Sequence, residues 1–129
     1  MLFSIQESNH VPIYDQIEAQ VIFGIASGSL DVGVLIPSVR DLAGRLGVHP
    51  NTVARAYQLL EQAGVVATRR GRGMEVTADA RALCERKRQD ILRERIRGVL
   101  REAVSSSLSN DDIRRLVEEE LTQVNGQAK

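Results

Sequence analysis

Aromatic side chains are scarce in this sequence: it has no tryptophan, two tyrosines and two phenylalanines. Its core must therefore be aliphatic and modest, because the large buried area that aromatics supply is missing. One cysteine, Cys84, excludes an internal disulfide and a multi-thiolate zinc site within one chain. Cys84 and His10 stand alone, without metal-ligand spacing, so neither is expected to do chemistry, and no metal or cofactor is implied. No apolar run approaches the length of a membrane span, and no charged-then-apolar leader opens the chain. A cytoplasmic protein with a reduced thiol is the expectation. The 129 residues suit one small domain, or a small domain with an appendage.

Net charge is lacking as well, since 17 basic residues balance 17 acidic ones. Taken alone, that balance argues against nucleic acid, but the distribution reverses it. Residues 1–33 carry four acids and no Lys or Arg, giving −4. Residues 34–73 carry six arginines against Asp41 and Glu61, giving +4, and residues 74–129 carry eleven bases and eleven acids. A positive segment of this kind is the electrostatic footprint of a phosphate-binding surface. An excess of about four charges per chain gives weak, salt-sensitive affinity, which points to a dimer.

The positive segment holds the most informative stretch, SVRDLAGRLGVHPNTVARAY at 38–57. Apolar residues recur at helical spacing at Val39, Leu42, Ala43 and Leu46, and again at Val48, Val53, Ala56 and Tyr57. Ser38 after Pro37 is a helix N-cap with Asp41 three residues on, as in a capping box. Gly47 suits the left-handed conformation that ends a helix, and Pro50 suits the first turn of the next. Ala43 then lies at a close helix crossing, and Val53 fills the shared core. The pattern is that of a helix-turn-helix, whose second helix enters the DNA major groove. The same residues would also serve a helical hairpin in an ordinary core.

Around this stretch the chain divides in two. Residues 2–9 read as a short extended arm. Pro12 opens a helix to about Ser27, with Ile13, Ile17, Val21 and Ile25 on one side and Gly28 as its stop. Residues 28–36 form a loop anchored by Leu30 and by Leu35 or Ile36. After Gly64, Val65–Thr68 and Met74–Thr77 read as two strands around Arg69-Arg70-Gly71-Arg72-Gly73. A hairpin directly after a recognition helix is a wing, and its arginine-bearing tip fits a minor groove. From Asp79 to about Val104 a charged helix carries Leu83, Ile91, Leu92, Ile96, Val99, Leu100, Ala103 and Val104. Leu92, Ile96, Val99 and Ala103 keep the four-three-four spacing of a helix–helix seam. Ser105 to Ser107 break it, and Ser109 or Asn110 caps a final helix to about Val124 with Ile113, Leu116, Val117 and Leu121 on one face. Two amphipathic helices hide both stripes poorly by themselves, so a four-helix dimer interface is expected. Folding of both helices back onto the first domain is the monomeric alternative. The expected fold is mainly α with a small β-hairpin wing: a winged helix-turn-helix domain at 1–78 and a two-helix dimerisation region at 79–129.

The run from Pro12 to Thr77 resembles the GntR family of bacterial winged-helix transcription regulators. The matching residues are PIYDQI at 12–17, Ser27-Gly28-x-Leu30, Gly33, PSVRDLA at 37–43, GVHPNTVARAY at 47–57, Leu60-Glu61-x-x-Gly64 and RRGRG at 69–73. The short C-terminal part is similar to the YtrA-like subfamily. Met74-Glu75 departs from the family, which often has a small residue and then an aromatic there. The resemblance implies DNA contacts from Arg40, from His49, Pro50, Asn51 and Thr52 at the start of the recognition helix, and from the wing tip at Gly71 with Arg70, Arg72 and Gly73. Chemistry supports these roles unequally. Asn51 can pair an adenine edge, and Thr52 or Ser38 can donate to phosphate. Arg55 reaches DNA or only solvent, His49 is a base reader or a turn residue, and Arg69 faces the groove or the strand. Family members with an extra arginine where Pro50 and Ala54 stand imply thinner base readout here.

The sequence therefore predicts a homodimeric, sequence-specific repressor of its own operon, bound to a pseudo-palindromic DNA site. A small-molecule effector is compatible with the subfamily, though no residue cluster identifies one. An enzyme that cradles nucleotide phosphate on Arg70 to Gly73 is the competing class, but that segment lacks a Walker lysine and a following helix of a βα unit. An adaptor whose winged helix binds protein is the third.

Overall fold

The computed structural model of the chain describes residues 3–6 and 11–127. His10 and half of the proposed N-terminal arm lie outside them. Pro12 stands at the N-cap of α1 (Ile13–Ser27), whose apolar side is covered: Ile17, Val21, Ile22 and Ile25 are buried and Ile13 is partly so. A buried Gln16 ties the preceding segment down, donating from Nε2 to the carbonyl of Val11 at 2.9 Å.

The helix-turn-helix follows as α2 (Val39–Leu46) and α3 (Pro50–Gln62). Ser38 Oγ accepts from the Asp41 N–H at 3.1 Å, so the cap read from the sequence forms. Gly47 sits at φ 67° and ψ 37°, a conformation that a Cβ disfavours. Its position lets Val48 N–H reach back to the Ala43 carbonyl at 3.1 Å, which closes the end of α2. Leu42, Ala43, Val53, Ala56, Tyr57 and Leu60 fill the space between the two helices and α1.

β1 (Val66–Arg69) and β2 (Gly73–Val76) pair antiparallel, from Val66 opposite Val76 to Arg69 opposite Gly73. Each strand lies one residue nearer the turn than expected from the sequence. On the far side of β2 the loop after α1 supplies a short third edge. Ile36 N–H donates to Met74 O, and Val76 N–H to Val34 O, each at 2.9 Å, around a bridge between Leu35 and Glu75. This pairing decides which loop residue anchors the core: Ile36 faces inward and is buried, while Leu35 faces out at 41% exposure.

α4 (Ala80–Ser105) begins inside the same core, with Ala80 and Cys84 buried and Leu83 and Ile91 packed against it. Leu83 and Ile91, read from the sequence as part of the C-terminal apolar set, thus serve the first compact unit, which runs to Ile91. The second unit, from Leu92, contains the rest of α4 and α5 (Asn110–Gln127). The turn between those helices is a Schellman motif. Leu108 N–H donates to Ala103 O at 3.3 Å and Ser107 N–H to Val104 O at 3.0 Å, while Ser107 adopts a left-handed φ of 67°. Ser109 Oγ then caps α5 by accepting from Asp112 N–H at 3.1 Å. No α5 residue is buried, and Leu92, Ile96, Val99, Leu116, Val117 and Leu121 are all exposed. Leu100 is 37% exposed, and Ala103 and Ile113 are half-buried.

Candidate nucleic-acid interface

α3 is buried along one side by Val53, Ala56, Tyr57 and Leu60, and helical periodicity turns Asn51 and Arg55 to the opposite, exposed side. Three tethers fix that orientation. Tyr57 Oη donates to Pro37 O at 2.7 Å, joining α3 to the chain just ahead of α2; burial pushes this phenol's pKa well above its ordinary value. The Arg55 guanidinium lies 4.2 Å from the centre of the Tyr14 ring, and its Nη2 donates to Tyr14 Oη at 3.4 Å. At the other end of the helix, Thr68 Oγ1 donates to Glu61 Oε2 at 2.9 Å, linking α3 to the first wing strand. The recognition helix is thus held by α1, by the entry to α2 and by the wing.

His49 is the N-cap of α3, and its Nδ1 accepts from Asn51 N–H at 3.0 Å. A proline at the next position contributes no N–H, so the imidazole serves a free amide of the first turn. The neutral tautomer then carries its proton on Nε2, which leaves the ring one outward donor. Ser38, Arg40, His49, Pro50, Asn51 and Arg55 are exposed, and Thr52 is half-buried.

The wing turn closes through Arg72 N–H to Arg69 O at 2.9 Å, with Gly71 at φ 76°. Nothing lies within 4 Å of the place a Gly71 Cβ would take, so the left-handed backbone, and not crowding within the chain, favours glycine there. The three wing arginines differ. Arg69 points back across the sheet, its Nε 2.7 Å from Glu75 Oε2. Arg72 approaches the other oxygen of the same carboxylate at 4.0 Å. Arg70 has no ion-pair partner among the described residues. Ser38 and Arg40 thus lie at the start of α2, His49 to Thr52 at the start of α3, and Arg70 to Gly73 at the tip of the wing. The Arg55–Tyr14 stack and the Glu75 carboxylate carry no local sequence signal beyond the departure at Met74-Glu75.

A match to the family of bacterial regulatory proteins described as the gntR family covers residues 13–76, from the first helix to the end of the wing. A solved GntR family transcriptional regulator from Listeria monocytogenes superposes with a TM-score of 0.73 at 31% identity, covering 89% of this chain and 98% of that one. The chain belongs to the GntR family. Its members here are transcription regulators with a DNA-binding helix-turn-helix, not enzymes. Likeness to the transcriptional repressor YtrA of Bacillus subtilis extends beyond the winged helix: 28% identity over 99% of this chain and 98% of the relative. The regulator Rv1152 of Mycobacterium tuberculosis is 57% identical over 58 residues, a match that covers 48% of that protein's length. The GntR-family chain is thus YtrA-like from end to end. Among its described residues no helix is long and apolar enough to cross a membrane.

Proposed function

We propose that this GntR regulator is a cytoplasmic homodimeric repressor of its own operon, bound to a pseudo-palindromic site with α3 in the major groove and the wing in the minor groove. The observation that carries the reading is the triple tethering of α3, which presents His49 to Asn51 and Arg55 as a fixed exposed edge while the other side of the helix is buried. A recognition helix needs that rigidity, because base readout depends on side chains aimed at particular edges. Asn51 reads a base. Arg40, Thr52 and Ser38 hold phosphates, and Arg70, Gly71, Arg72 and Gly73 form the groove-facing tip.

The dimer is carried by the second unit. Its apolar stripes, Leu92, Ile96, Val99, Leu100 and Ala103 on α4 and Ile113, Leu116, Val117 and Leu121 on α5, gain cover from a second copy. Charge agrees with pairing unlike helices. From Leu92 to Ser105 four arginines outnumber Glu94 and Glu102, whereas on α5 five acids outnumber Arg114 and Arg115. We assign DNA binding to residues 1–78 and dimerisation to 79–129, with the first turns of α4 serving as a buttress to the DNA-binding core.

A gel shift on the DNA upstream of the chain's own gene tests the reading. A specific complex at moderate salt is expected. Arg40→Ala should weaken it and flatten its salt dependence by about one phosphate contact, with the dimer unchanged. Absence of any specific complex contradicts autoregulation.

A further inference from the structure

The wing contains a carboxylate that its charge count conceals. Glu75 lies in the central strand of the small sheet, opposite Ala67 on one side and bridged to Leu35 on the other. Its neighbour Val76 points into the core, so strand alternation turns Glu75 to the outer face, where a glutamate would ordinarily be well solvated. Instead its side chain is only 16% exposed, with Arg69 and Arg72 against its two oxygens. Arg69, two residues beyond Ala67, is its diagonal cross-strand neighbour, within reach of a long side chain. The two contacts differ in kind. Arg69 donates to Glu75 Oε2 at 2.7 Å in a close charge-assisted hydrogen bond, whereas Arg72 stands 4.0 Å from Oε1 and is itself 63% exposed.

A phosphate oxygen and a glutamate oxygen make the same demand on a guanidinium. We propose that Glu75 is an internal competitor for DNA phosphate that sets the specificity of the wing: it retains Arg69 as a strut of the hairpin and holds Arg72 loosely, so that Arg72 is released only to a groove that places phosphate close to it. Arg70, without such a partner, supplies the wing's unconditional attraction for the backbone. Sequence-independent binding comes almost wholly from phosphate charge, so a carboxylate beside the tip lowers it on every duplex. At a well-fitting site the exchange of Glu75 for phosphate on Arg72 restores the contact, and the penalty falls chiefly on wrong sites. The inference rests on the winged-helix reading of the interface and adds a residue that does not itself touch DNA.

Glu75→Gln tests it in the full-length protein, since glutamine keeps the size and much of the hydrogen bonding. Fluorescence anisotropy with a mixed-sequence duplex, across a salt series, is expected to show roughly three- to tenfold tighter binding at low salt and a salt slope steeper by about one per subunit. Adding Arg72→Ala to Glu75→Gln should cancel most of that gain. Glu85→Gln, which removes an equal charge on α4 away from the wing, is the control and should change little. Unaltered binding by Glu75→Gln, a gain that survives Arg72→Ala, or an equal gain in the Glu85 control overturns the inference while the wild-type protein still binds. Wild-type protein that binds no duplex overturns the interface reading, and this inference with it. Melting curves of each variant separate loss of fold from loss of competition.

Discussion

The two units of this chain put their apolar side chains to opposite ends. In the first, Ile17, Leu42, Val53, Leu60, Val65 and Cys84 are covered completely. In the second, Ile96, Val99, Leu116, Val117 and Leu121 are about half exposed or more. Aliphatic burial contributes roughly 25 cal/mol per Å² whichever chain provides the cover. A core closed within one chain stabilises that chain at any concentration, whereas an open stripe stabilises only the assembly that closes it. The first unit therefore closes its own core, whereas the second leaves an apolar face that, in the proposed dimer, a second copy covers.

Deleting the same kind of side chain in each unit should have unlike consequences. Leu60→Ala should cost about 2–5 kcal/mol in urea melts, with no dependence on protein concentration. Leu116→Ala should cost under about 0.5 kcal/mol in the dilute monomer yet shift the dimer equilibrium in sedimentation experiments. Equal, concentration-independent losses would erase the distinction.

A second test uses titration. Burial pushes the Cys84 thiol from 9.0 up to about 11, so the folded state holds its proton where the unfolded chain has released it. Below about pH 9 this shift has no effect. As pH rises from about 9 to 11 it should remove about 2–3 kcal/mol of stability, and Cys84→Ala should flatten that part of the pH profile. A profile unchanged by the substitution would mean that the thiol is not buried in solution. A smaller effect is expected at the tether of the recognition helix. Tyr57→Phe, which loses the bond to Pro37, should lower stability by about 1–1.5 kcal/mol and weaken DNA binding with it, as read by paired melts and anisotropy.

A small gain is expected at the turn between α4 and α5. Ser107 takes the left-handed position that glycine usually occupies, so Ser107→Gly should raise stability slightly, by up to about 1 kcal/mol. A fall would mean that the serine side chain contributes more than its backbone costs.

These contrasts also explain what was legible in the sequence. The caps at Ser38, Gly47 and Pro50 are local signals, and so were the helix-turn-helix and the hairpin. Leu35 and Ile36 were indistinguishable because both are aliphatic neighbours, and only pairing of the loop with β2 turns one inward. Leu83 and Ile91 fit a continuous α4 stripe by spacing, but spacing does not say that one helix serves two units in succession. His49 as a cap was hidden because imidazole is an uncommon capping group. The Tyr14–Arg55 stack and the grip of Glu75 on Arg69 depend on tertiary placement, where sequence distance carries no information. Glu75, the residue that qualifies the wing's positive charge, lies two residues beyond the arginine-bearing segment 34–73.

The most direct test of the account is the number of chains bound at one operator. Sedimentation equilibrium of a labelled upstream duplex should give two chains per specific complex, and Ile96→Glu combined with Leu116→Glu should leave only weak, sequence-independent binding by folded monomers. One wild-type chain saturating the specific site, or full affinity in the double variant, would contradict it.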